Sequence, residues 1–233
     1  MNVQASLNGA RSRAEHARVP LTPAELAADA LACRRAGAFA VHLHPRDAKG
    51  LQSIEAGACD AAVTAIRAAA PGLPIGLSTA EAIERDPFRR AAAVRGWRTP
   101  PDYVSVSVAE IGWAGIVRAA LHARIGVEAG LRSPDEALEL ARSPFVHQLV
   151  RVLIAATGEA EDARAISALV PVEIPQLWHG HGKHAWEIVT AAAAAGHDLR
   201  IGLEDVLVLP SGQEAPDNAA LVAHAVALTT AAS

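Results

Sequence analysis

AFAVHLHPRDAKGLQSIEAGACDAAVTAIRAAAPGLPIGL, residues 38–77, holds one full copy of the pattern that organises this chain. It opens on a short apolar run, Ala38 to Leu43, followed by a polar turn. A helix-type stretch then covers about Ile54 to Ala70 and stops at Pro71-Gly72, a pair that cannot continue a helix. A second apolar run, Ile75 to Leu77, begins the next copy. Short β-type runs alternating with longer helical ones imply parallel strands joined by helical crossovers.

The same alternation continues in both directions. Upstream, Val3 to Leu7 precedes a helix opened by the cap Thr22-Pro23 and closed by Gly37. Downstream, β-type runs are expected at Tyr103–Val108, Ile125–Val127, Gln148–Ile154, Val172–Leu177 and Leu199–Leu203. The helices between and after them cover about 87–94, 112–122, a stretch opened by Ser133-Pro134-Asp135-Glu136, 159–169, 183–195 and 215–228. Eight β-then-α units in 233 residues predict an α/β fold, a (β/α)₈ TIM barrel in a single domain spanning 1–233. An open doubly wound sheet is the structural alternative.

Composition narrows the function classes. Hydrophobic residues make up 51% of the chain and aromatics only 3%, so the expected core is aliphatic and rich in alanine. The net charge is -4 and no basic cluster is present, which argues against nucleic-acid binding. No apolar stretch approaches the roughly 20 residues of a membrane span. The first residues lack the pattern of a signal peptide. Cys33 and Cys59 are the only cysteines and form no Cys-x-x-Cys motif, as expected of reduced thiols in a cytoplasmic protein.

In a (β/α)₈ barrel the chemistry sits at the C-terminal ends of the strands, and polar residues gather at those ends here. His42 and His44 lie two apart on a strand, so their side chains share a face and can meet one ion. Imidazole suits zinc and its neighbours in the first transition row. A lone His-x-His is also an ordinary strand end. Arg200-Ile-Gly-Leu-Glu-Asp205 adds weight, because strands eight and two both flank strand one and Glu204 can reach the same ion. Two histidines and one carboxylate leave coordination positions open, as in a catalytic site. Asp205 is then a candidate base, and Arg200 can share a face with Glu204 and meet an anion. Adjacent acids near a helix start also occur for dipole reasons alone.

Other strand-end groups are less decisive. Ser78, Thr79, Ser105 and Ser107 can bond a substrate carboxylate or cap the helices that follow. Glu128 at a strand end calls for a partner such as Arg11 or Arg46. His179 and His181 offer a second histidine pair, as a further ligand or as pocket wall. The four tryptophans read as packing.

Several blocks together resemble the β-keto acid cleavage enzyme family, typified by 3-keto-5-aminohexanoate cleavage. They are Asn8-Gly-Ala-Arg11, Val19-Pro-Leu-Thr-Pro-Ala-Glu25, His42-Leu-His-Pro-Arg-Asp47, Val127-Glu-Ala-Gly130, Arg151-Val-Leu-Ile154, His179-Gly180 and Arg200-Ile-Gly-Leu-Glu-Asp205. The resemblance runs from residue 8 to about residue 228 and implies a zinc-bearing barrel. His42, His44 and Glu204 match the family's metal ligands. Asp205 matches its general base and Arg200 the arginine supporting that base. Ser78 and Ser107 correspond to substrate-contacting hydroxyls, and Glu128 to a strand-five glutamate that faces the substrate. The implied reaction is a retro-Claisen exchange, in which a β-keto acid and acetyl-CoA give acetoacetate and a new acyl-CoA. Homo-oligomers are the family tendency.

Two departures stand out. Arg11 stands where the aminohexanoate enzyme has an acid, so a β-keto acid with an anionic or neutral side chain is expected. Ala155-Ala156 follows Arg151-Val-Leu-Ile154 where related sequences often carry Glu. Two other classes compete. A metal-dependent hydrolase on the same barrel needs no acetyl-CoA, but usually carries its His-x-His on the first strand and often a metal-bridging lysine. Lys49 and Lys183 are the only lysines here, and neither is at a central strand end. A non-catalytic metal-binding scaffold would keep the ion and lack turnover.

Overall fold

The computed structural model describes residues 1–231, so the last two residues of the expected 1–233 span lie outside the described residues. Eight parallel strands close into a barrel in sequence order. They are β1 Val3–Ser6, β2 Ala38–Leu43, β3 Ile75–Ser78, β4 Tyr103–Ser107, β5 Gly126–Leu131, β6 Arg151–Ala156, β7 Gln176–Gly180 and β8 Asp198–Ile201. The helices are α1 Pro23–Arg35, α2 Ala56–Ala69, α3 Pro87–Gly96, α4 Trp113–His122, α5 Pro134–Ala141, α6 Ala160–Ser167, α7 Ala185–Ala195 and α8 Asn218–Ala231. β1 pairs with β2 on one side and β8 on the other, so elements from the two ends of the chain meet across a single strand.

Local chemistry sets several of these boundaries. Thr22 and Glu25 form a reciprocal capping box at the start of α1, with Pro23 in the first turn. Asp86 caps α3 and Ser133 caps α5 through their side chains. Gly196 ends α7 in a left-handed conformation at φ 79°. The core between barrel and helices is aliphatic and alanine-rich, and Trp178 stacks on His197 with ring centroids 5.0 Å apart. Among the described residues, no helix is long and apolar enough to cross a membrane.

Four expected strands shift. The run expected at Gln148–Ile154 becomes β6 at Arg151–Ala156, because Val146–Gln148 form a 3-10 turn. The run expected at Val172–Leu177 is a turn and a later strand: Ile174 N–H bonds the Pro171 carbonyl, Val172 is 97% exposed, and β7 starts at Gln176. Prolines at 171 and 175 cannot donate to a ladder and hold the segment out of the sheet. β5 runs on to Leu131, which places Glu128 in mid-strand rather than at its end. β8 stops at Ile201 because Gly202 lies against the Ser6 carbonyl of β1, where any side chain would collide. The Gly202 carbonyl then accepts from the N–H groups of Asp205 and Val206, a turn that brings Glu204 and Asp205 over the barrel mouth.

Candidate metal and proton-transfer site

β2 delivers His42 as a buried strand residue and His44 just past its end. Asn8, following β1, holds that extension: its Oδ1 accepts from His44 N–H at 2.9 Å and its Nδ2 donates to the His44 carbonyl at 2.9 Å. Glu204 reaches across from the β8 turn. Its carboxylate lies 3.8 Å from His42 Nε2 and 3.6 Å from His44 Nε2. Gly9, at φ 48°, leaves the space that the Glu204 side chain fills.

The hydrogen bonds around the two rings assign their tautomers. His44 Nδ1 meets Gln52 Oε1, an acceptor only, so Nδ1 carries the proton. Ser105 gives its hydroxyl proton to Glu128 Oε1 at 2.5 Å, so its oxygen accepts from His42 Nδ1, 3.4 Å away. Both Nε2 lone pairs therefore face Glu204. One ligand atom from each of the three residues lies within 4.8 Å of the others. Glu204 Oε2 is buried with no hydrogen-bond partner, a cost that a cation at this point would remove. Two imidazole nitrogens and a carboxylate oxygen make a donor set suited to zinc. The site fits a divalent metal.

Behind this triad lies a second buried cluster. Arg200 donates from Nη2 to Glu204 Oε1 at 2.5 Å and to Asp205 Oδ1 at 3.2 Å. Asp205 also accepts from the Ser6 hydroxyl and from His179 Nδ1, the latter at 3.1 Å. Burial pushes both carboxyls up, but Arg200 with the neighbouring imidazoles outweighs it and holds both well below the usual range. Burial lowers His42 to about 3 and His179 to about 4, so both rings stay neutral. Asp205 is fully buried, whereas His179 and Arg200 line the cavity in front of it. That cavity holds about 220 Å³ and opens at the barrel mouth.

The residues expected at the site divide. His42, His44, Glu204, Arg200, Ser78 and Ser107 line this cavity. Thr79 does not: it is fully buried and donates its hydroxyl to the Ser105 carbonyl at 2.7 Å. Arg11 turns away to the Leu203 carbonyl at 3.2 Å and to Glu15 at 2.8 Å. Glu128 lies inside the barrel beneath the cavity and faces Arg151 rather than Arg11 or Arg46, at 2.6 Å. Burial opposes its ionisation, yet the Arg151 charge, with the Ser105 hydroxyl donating to it, brings it down to about 2. Ser6, Gln52 and Arg132 were not expected. Ser6 had one readable signal: Gln4 and Ser6 alternate with apolar residues on β1, so both polar groups point to one face.

A family description, beta-keto acid cleavage enzyme, matches residues 1–124 and 137–233. The chain belongs to the β-keto acid cleavage enzyme family. Residues 125–136, which carry β5, fall between the two matched stretches. A 3-keto-5-aminohexanoate cleavage enzyme from Fusobacterium nucleatum is 24% identical over 247 residues, covering 97% of this chain and 90% of that one. The solved structure of ObcA in its apo form superposes with a TM-score of 0.70 at 19% identity and covers 88% of this chain. This chain spans 60% of the ObcA chain. 3-Hexulose-6-phosphate synthase from Salmonella typhimurium matches over 100% of both chains with a TM-score of 0.63 at 14% identity. These structural likenesses bear on the barrel alone.

Proposed function

We propose that this protein is a zinc-dependent acyl-exchange enzyme that cleaves a β-keto acid at the expense of acetyl-CoA. The observation that carries the reading is the convergence of His42 Nε2, His44 Nε2 and Glu204 on one point, with the Arg200–Asp205–His179 cluster directly beside it. The Fusobacterium relative, a 3-keto-5-aminohexanoate cleavage enzyme, supports a β-keto acid, and ObcA has been solved with a C4-CoA adduct and oxalate, which supports a CoA partner. Zinc held by His42, His44 and Glu204 would act as a Lewis acid on the carbonyl oxygens of the substrate.

The chain's own groups supply the rest. Arg200 keeps Asp205 ionised, and Asp205 holds the proton of His179 on Nδ1. His179 Nε2 is then a neutral acceptor at the cavity wall, backed by a carboxylate. The Asp205–His179 pair takes a proton from C2, the carbon between the two carbonyls. C2 attacks the thioester carbonyl of acetyl-CoA and CoA thiolate leaves. The thiolate attacks the original keto carbon, the bond from that carbon to C2 breaks, and the pair returns the proton to C2. The products are acetoacetate and the new acyl-CoA. Ser78 and Ser107 can bond carboxylate or carbonyl oxygens from the rim. The two buried free thiols suit a reducing cytoplasm.

The test is a panel of β-keto acids with acetyl-CoA, read by acyl-CoA mass, for wild type and Asp205→Asn. Asp205→Asn should keep its zinc and lose about 10²–10⁴-fold in kcat. Turnover of esters or lactams without acetyl-CoA would favour the hydrolase class instead. Full activity in Asp205→Asn would remove the proton-transfer role.

A further inference from the structure

Arg132 is the cation of the cavity wall whose guanidinium forms no ion pair among the described residues. It follows β5, and its Nη2 donates to the Ser107 hydroxyl at 3.2 Å. Its backbone is held separately, by the bond from its N–H to Glu136 Oε2 at 2.8 Å, just before Ser133 caps α5. No carboxylate among the described residues pairs with its guanidinium. The other charged groups lining the cavity are already matched. Arg200 is bound to Glu204 and Asp205. Glu110 is bound to Arg90, a fully buried guanidinium that also holds the carbonyls of Thr79 and Ile111. His42 is engaged by Ser105 and His179 by Asp205.

Position adds the second half of the argument. β5 lies across the closed barrel from β1, and β1 is flanked by the ligand-bearing β2 and β8. Arg132 and the His42-His44-Glu204 group therefore stand at opposite sides of one mouth. Val106, Leu153 and Ala155 line the wall on the Arg132 side and offer no charge. Such a cavity has a metal-ligating group at one end, a guanidinium at the other and an apolar stretch in its wall. At about 220 Å³ it suits a short chain of carbons rather than a nucleotide.

We propose that Arg132 selects a β-keto acid bearing a second carboxylate at the far end of its side chain. The β-keto acid end meets the metal group and the terminal carboxylate meets the planar guanidinium, which can bind it through two parallel N–H bonds. Arg132 lies in 125–136, between the two stretches that the family description matches. The inference rests on the β-keto acid reading above.

The test compares 3-oxoadipate with 3-oxohexanoate, acids of equal chain length that differ in a terminal carboxylate, in wild type, Arg132→Gln and Arg132→Lys. Wild type should favour 3-oxoadipate by about tenfold or more in kcat/KM. Arg132→Gln should bring the ratio near one through a higher KM for 3-oxoadipate, and Arg132→Lys should restore part of it. A preference untouched by Arg132→Gln, or a wild type that favours 3-oxohexanoate, overturns the proposal. A rise in the KM for acetyl-CoA with both acids also overturns it, because the guanidinium would then serve a CoA phosphate. Calorimetric binding of the two acids to zinc-loaded protein separates this idea from the reaction itself. Tighter binding of 3-oxoadipate that is lost in Arg132→Gln supports the selectivity even if neither acid turns over, and equal binding overturns it.

Discussion

Arg151 Nε and Glu128 Oε2 meet at 2.6 Å inside the barrel, with Glu128 fully buried. The pair underlies the metal group, because Glu128 also takes the Ser105 proton and Ser105 faces His42 Nδ1. Gln4 Nε2 adds a bond to the same carboxylate at 2.9 Å, and the Arg151 guanidinium lies 4.6 Å from the Tyr103 ring centre. Removing one partner of such a buried pair leaves the other charge uncompensated. Glu128→Gln should therefore cost about 3–5 kcal/mol in urea unfolding, while the double variant Glu128→Leu/Arg151→Met should regain most of it. A Glu128→Gln midpoint equal to wild type would show that the pair does not support the fold.

Metal content should follow the imidazoles and their outer partners. His44→Ala removes one of three ligands, and the purified variant should carry far less zinc than the one ion per chain expected of wild type. Gln52→Ala leaves the ligands intact but frees the His44 ring, so chelator competition should read about a 10- to 100-fold weaker affinity. Equal metal content in His44→Ala would dismiss the site.

Asp29 gives the chain a pH-dependent stability unrelated to the cavity. Burial raises its carboxyl to about 7, with Asp217 adding to the rise and the bond from Asn218 opposing it. A carboxyl raised in the folded state gives stability that is full below its unfolded value of 3.8 and lost as pH climbs through about 7. Asp29→Asn cannot ionise, so its advantage over wild type should grow between about pH 5 and about pH 8, by roughly 1–2 kcal/mol after allowing for partial exposure. Urea midpoints at the two pH values test this, and a constant difference would contradict it.

The barrel was legible because its signals are local. Thr22-Pro23, Ser133-Pro134 and Pro71-Gly72 punctuate helices through their own backbone chemistry, and alternation on one strand puts His42 and His44 on one face whatever else the chain does. The expected strand order added Glu204, which the family blocks then matched; it stands 160 residues or more from both histidines in sequence and meets them only because β8 and β2 flank β1. Partner choice is a different kind of fact. Whether Glu128 pairs with Arg151 or Arg11, whether Thr79 faces a substrate or a carbonyl, and whether the open cation is Arg11 or Arg132 depends on strand lengths and side-chain directions around a closed ring. One residue more in β5 or β8 reverses which face a side chain takes. Sequence alone determined the repeating β–α units and the residue types for a metal; only tertiary closure decided which charges cancel and which remain, because charges are neutralised by neighbours in space rather than along the chain.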